Sequence, residues 1–161
     1  MNLVSEILPL ANVVTDLDMA SKKRVFEYAG LLFENHQGIA RAQVFDSLFA
    51  REKLGSTGLG KGVAIPHGRL KGLKNAVGAL VRMKAPIPFD APDGQGVSLI
   101  FLLMVPERAT DAHLQILSEL AEIFSDAALR GQLIAAPGAA ELHSLITQWQ
   151  RHAPNQHIPA G

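Results

Sequence analysis

Apolar residues recur along this chain in two periods, and the change of period separates helices from strands. Between Ser21 and Gln37, the residues Val25, Phe26, Ala29, Leu32 and Phe33 fall on one helical face. Ser21 is placed to cap that helix and Gly38 to stop it. A second helix is predicted over about Ala40–Leu54, with Val44, Phe45, Leu48 and Phe49 as its buried face and Gly55 at its end. Strands are then predicted at Gly62–His67, Ala76–Met83 and Val97–Val105. The last is almost wholly apolar, which places it at the centre of a sheet covered on both faces. Pro86–Gly96, with its prolines and the Asp93-Gly94 pair, reads as a rigid turn, and Pro106 closes the third strand. Thr110 or Asp111 can cap a helix reaching Phe124, apolar on more than one face through Ile116, Leu117, Leu120, Ala121, Ile123 and Phe124. Two further helices are predicted at Ala127–Ala135 and Ala139–Trp149, split by Pro137-Gly138. Residues 1–20 are short apolar pieces, with one edge strand near Val13-Val14.

Composition narrows this picture. A chain of 161 residues, 48% apolar and 19% charged, suits one folded domain with a sizeable core. The domain is expected over residues 1–150, with 151–161 as a flexible C-terminal tail. Fifteen basic residues balance fifteen acidic ones, which removes the electrostatic case for a nucleic-acid partner or a polybasic membrane surface. The absence of cysteine excludes disulfides and thiolate metal sites and agrees with a cytoplasmic location. No positive cluster precedes an apolar run at the N-terminus, and Glu6 interrupts the one candidate, so no signal peptide is expected. The apolar run Val97–Val105 is about half of the ~20 residues that a spanning helix needs, so no membrane insertion is expected.

Candidate chemistry gathers at Gly55–Gly68. Gly55-x-x-x-x-Gly60-Lys61 fits the start of a nucleotide-binding P-loop, but Gly62 stands where a magnesium-binding hydroxyl is needed. A helix precedes this loop and a strand follows, the reverse of the P-loop context. A metal site has little support, since no pair of the six histidines has His-x-x-x-His spacing. His36, His143, His152 and His157 read as surface, structural or tail residues.

His67 differs. Pro66 restrains it and Gly68 lets the chain turn, so the imidazole is presented at a strand end. A neutral imidazole is a nucleophile at physiological pH, and a phosphoryl group arriving there needs positive charge and hydrogen-bond donors. Arg51, in the last turn of the second helix, can supply a charged fork. Ser56, Thr57 and the backbone at Gly58 can donate to phosphoryl oxygens. The alternative for His67 is a buried structural histidine. His113, in the first turn of the helix after the third strand, either donates to a phosphoryl oxygen or packs half-buried beside Leu117.

Arg51-Glu52-Lys53-Leu54-Gly55-Ser56-Thr57-Gly58-Leu59-Gly60 and Gly62-Val63-Ala64-Ile65-Pro66-His67-Gly68 together closely resemble the IIA proteins of the bacterial phosphoenolpyruvate:sugar phosphotransferase system, fructose/mannitol type. Pro86–Asp93, Leu102–Pro106 and His113-Leu114 extend the resemblance, which is nearest to the nitrogen-regulatory branch. It implies an α/β fold, a single mixed β-sheet flanked by helices. It implies that His67 carries the phosphoryl group, with His113 as a second active-site histidine and Arg51 as the neighbouring cation. It implies an HPr-type phosphocarrier as donor and no metal or organic cofactor. Regulatory targets such as sensor kinases or potassium-transport components are implied for that branch. Two other readings stand beside it: a sugar-uptake IIA component passing phosphate to a IIB domain, and a binding module that is never phosphorylated. Leu59 and Val63 are candidates for a docking patch that distinguishes the phosphorylated from the unphosphorylated form.

Overall fold

The computed structural model describes residues 2–108 and 110–151. His152 and His157, and nearly all of the expected tail, lie outside those residues. The described chain forms one mixed sheet of six strands with five α-helices. Among the described residues no helix is long and apolar enough to cross a membrane.

After two short 3-10 turns at Leu3–Glu6 and Leu10–Asn12, strand β1 (Val13–Leu17) runs along one edge of the sheet. Helix α1 (Lys22–Gln37) begins where the Ser21 hydroxyl accepts the Arg24 N–H, and ends at Gly38 in the left-handed conformation, φ 69°. Helix α2 (Arg41–Lys53) follows, and its last turn carries Arg51 and Lys53. Val44 and Leu48 are its buried apolar residues; Phe45 and Phe49 are only partly buried and stack on each other with ring centroids 5.5 Å apart.

The stretch expected as one strand, Gly62–His67, is divided. Strand β2 (Gly58–Gly60) forms a hairpin with β3 (Val63–Ala64), and β4 (His67–Leu70) begins at the histidine itself. β3 and β4 both run parallel to the same neighbour, β6 (Val97–Pro106), pairing Ala64 with Ile100 and His67 with Leu103. The break falls at Ile65-Pro66. Ile65 donates its N–H back to the Thr57 carbonyl at 3.0 Å, and Pro66 has no N–H to give. His67 therefore starts a strand rather than ending one.

β5 (Val77–Ile87) is longer than expected and pairs antiparallel with β6. The pairing shifts between Arg82 and Ile87, where Lys84, Ala85 and Pro86 are exposed and break the apolar pattern. The order across the sheet is β1-β5-β6-β3-β2, with β4 also on β6. β6 is central as expected: Leu99, Phe101, Leu103 and Val105 face one core, and Ile100, Leu102 and Met104 the other. Helices α3 (Asp111–Ser125), α4 (Ala127–Ala135) and α5 (Ala139–Gln148) contribute to the first core, and α1 and α2 to the second.

That division decides where the site lies. Gly68 and Leu70 face the α2 side of β4, which leaves His67 and Arg69 on the α3 side. A Cβ at Gly68 would collide with the backbone and side chain of Ser47, so glycine lets α2 lie directly on β4. The Ser47 hydroxyl fastens the contact by donating to the Arg69 carbonyl at 2.8 Å.

Candidate active site

His67 is half-buried, and its Nδ1 lies 2.9 Å from the Ile65 carbonyl oxygen. A carbonyl oxygen only accepts, so Nδ1 donates its proton and the neutral ring carries its lone pair on Nε2. Burial pushes the ring below its ordinary value of 6.5, and the nearby Arg51 charge pushes the same way against the opposing pull of the Ile65 carbonyl and Glu52. His67 is thus held neutral, as one tautomer, with the nucleophilic nitrogen away from its backbone tether.

The ring lines a cavity of about 470 Å³ that also holds Arg51, Arg69 and His113. Three elements deliver them: the C-terminal turn of α2, the start of β4 and the first turn of α3. The fork of Arg51 gives one N–H to the Gly55 carbonyl at 2.9 Å, which anchors it at the glycine loop. In His113, Nδ1 accepts the Thr110 backbone N–H at 3.2 Å, within a reciprocal cap at the start of α3. A backbone N–H only donates, so a neutral His113 carries its proton on Nε2. The two rings are therefore complementary: His67 offers a lone pair at Nε2, and His113 a donor. Arg69 shares the cavity because residues alternate along β4, which puts it on the same face as His67. Leu54, 84% exposed, and Leu114, 62% exposed, form an apolar rim.

The structure does not place Ser56, Thr57 and Gly58 on this cavity. Ser56 donates its hydroxyl to the Phe89 carbonyl at 2.6 Å and accepts the Gly58 N–H at 3.0 Å. Thr57 is buried and gives both its hydroxyl, at 2.6 Å, and its N–H, at 3.1 Å, to Glu52. The expected phosphate donors are spent on bracing the loop, because a buried turn must satisfy its own polar groups first. Glu52 was not foreseen. Its side chain is 3% exposed and also takes Lys22, which bridges on to Asp90. A carboxylate between Arg51 and Lys53 reads in sequence as one more charge on a solvated helix end.

The docking candidates separate: Leu59 is 46% exposed, but Val63 is 1% exposed and belongs to the core, a correction that follows from its inward register on β3. His36 contacts the Asn12 side chain, and His143 donates from Nε2 to the Leu8 carbonyl at 2.8 Å, so both hold structure. Among the described residues no cluster of His, Asp and Glu could hold a metal ion.

Comparison with known proteins adds a family. Residues 6–149 match the model of the phosphoenolpyruvate-dependent sugar phosphotransferase system, EIIA 2. The chain is 40% identical over 148 residues to a nitrogen regulatory protein of Pseudomonas aeruginosa, covering 91% of this chain and 96% of that one. The crystal structure of the nitrogen regulatory protein IIA-Ntr of Neisseria meningitidis superposes with a TM-score of 0.86 at 54% identity, covering 90% of this chain and 99% of that one. Mannitol IIA of Escherichia coli shares the fold, with a TM-score of 0.72 at 20% identity over 86% of this chain and 97% of that one.

Proposed function

Because the chain belongs to the EIIA 2 family of the phosphoenolpyruvate-dependent sugar phosphotransferase system, we propose that it is a cytoplasmic phosphoryl carrier that takes its phosphoryl group on Nε2 of His67. The donor is an HPr-type phosphohistidine protein. The Nε2 lone pair attacks phosphorus, a new N–P bond forms, and the donor's N–P bond breaks with its electron pair returning to the donor ring. Arg51 and Arg69 bring positive charge to the cavity in which the phosphoryl charge is held, and Nε2–H of His113 can donate to a phosphoryl oxygen. The observation that carries this reading is the Nδ1–H bond of His67 to Ile65, which commits the other ring nitrogen to nucleophilic work.

The consequence we propose is regulatory. Likeness to proteins named nitrogen regulatory protein supports it. Phosphorylation adds about two negative charges to a cavity rimmed by Leu54 and Leu114, so a target that packs on the apolar rim distinguishes the two states. Targets of the kind implied for this branch, sensor kinases and potassium-transport components, are candidates.

The test is incubation with labelled phosphoenolpyruvate, its enzyme I and an HPr-type carrier, beside His67→Ala. Acid-labile, alkali-stable label on the wild type alone is expected. Label on both proteins would remove His67 from the role. No label on either, with the donor chain active on another IIA protein, would leave a binding module. Restored sugar uptake in a strain lacking its IIA component would instead favour transport.

A further inference from the structure

A continuous line of hydrogen bonds joins Glu52 to the ring of His67. Glu52 accepts the hydroxyl and the N–H of Thr57, at 2.6 and 3.1 Å. The carbonyl of Thr57 accepts the N–H of Ile65 at 3.0 Å. The carbonyl of Ile65 accepts Nδ1–H of His67 at 2.9 Å. This line crosses the break between β3 and β4, where β6 holds the Pro66 carbonyl through the Leu103 N–H at 2.9 Å but the Ile65–Pro66 peptide that holds the ring has no N–H to give the ladder. The carboxylate at its head is itself fixed, buried and tied to Lys22 at 3.1 Å. From its other side Glu52 adjoins Arg51, whose own anchor is the Gly55 carbonyl two residues before Thr57.

We infer that Glu52 is a positioning residue for phosphoryl transfer: through Thr57 it holds the Ile65 carbonyl where it selects the Nδ1–H tautomer of His67 and aims Nε2. This rests on the reading of His67 as the phosphoryl acceptor. A merely structural brace would lower stability when cut and leave the ring of a folded variant unchanged. A positioning line changes the ring. Thr57→Val removes the hydroxyl bond and keeps the carboxylate charge; Thr57→Ser keeps both. Glu52→Asp keeps the charge but withdraws it from Thr57 by one methylene, so it asks the same question should Thr57→Val not fold.

The experiment measures imidazole nitrogen shifts of His67 by ¹H–¹⁵N NMR and the rate of phosphoryl uptake from the HPr-type carrier, for wild type and the three variants. Wild type is expected as the Nδ1–H tautomer. In folded Thr57→Val and Glu52→Asp the tautomers mix, and uptake falls about ten- to a hundredfold. Thr57→Ser restores the tautomer and most of the rate. A folded Thr57→Val or Glu52→Asp with the wild-type tautomer and rate overturns the inference. The NMR arm needs no phosphorylation. If wild type takes no label, the carrier reading fails, while mixed tautomers in the variants still support the line from Glu52 to the ring.

Discussion

The tether between Nδ1 of His67 and Ile65 fixes the orientation and the tautomer of the ring, while burial keeps it neutral with the lone pair on Nε2. Its pH behaviour follows with a definite sign. Burial first, and Arg51 second, hold the ring below 6.5, so the lone pair on Nε2 survives into mildly acidic solution. Phosphoryl uptake should stay flat as pH falls to 6.5 and decline only below the lowered value; stopped-flow rates across pH 5–8 check this. The folded ring is the weaker base, so the unfolded chain takes the proton first and folding stability falls as pH drops through 6.5. His67→Ala should flatten that dependence in denaturant titrations. Arg51→Ala should slow uptake by about 10²-fold, as the loss of one charged donor to a transferring group does, with the melting temperature kept. His67 and Arg51, which line one cavity, were legible as candidates in sequence because a constrained Pro-His-Gly bend and a helix-end arginine signal themselves locally, whereas His113 was marked as an active-site residue only through the family resemblance. Glu52 was not, since its burial depends on Lys22 and Thr57, and the latter's hydroxyl reads as a free donor until the loop folds.

Elements place those residues through two features that periodicity shows unequally. Helices α1 and α2 were legible almost to the residue, because Ser21, Gly38 and Gly55 punctuate them and a stripe of apolar residues fills one face of each. The segment from Gly58 to Leu70 was not, because β2, β3 and β4 are too short for alternation to declare itself, and their breaks follow backbone bonding around Pro66. The Gly58–Leu70 region also contains Gly68, where α2 lies directly on β4 with no room for a Cβ. Gly68→Val should force α2 away from β4, destabilising the fold by about 1–3 kcal/mol. Urea unfolding measures the loss; an unchanged midpoint would mean that Ser47 moves aside at little cost.

At the scale of the molecule, a single sheet separates two cores, and the site sits on the α3 side of the sheet, where α2, β4 and α3 converge at one cavity. The central position of β6 was visible from its run of apolar residues, whereas no local pattern could say that Arg69 and His113 meet beside His67. The rim is where the molecule meets its partners in this account. Leu54→Ala and Leu114→Ala should raise the KM for the phosphorylated carrier several-fold, while exposure keeps their effect on stability within about 0.5 kcal/mol. Progress curves at varied carrier concentration, with thermal melts alongside, check both halves.

The most direct measurement is the identity of the phosphorylated atom. After transfer from the HPr-type carrier to ¹⁵N-histidine-labelled protein, ³¹P–¹⁵N coupling identifies the nitrogen bonded to phosphorus. One phosphoryl group is expected, on Nε2 of His67, with Nδ1 still protonated against Ile65; phosphorus on Nδ1 of His67, or on His113, would contradict the assignment.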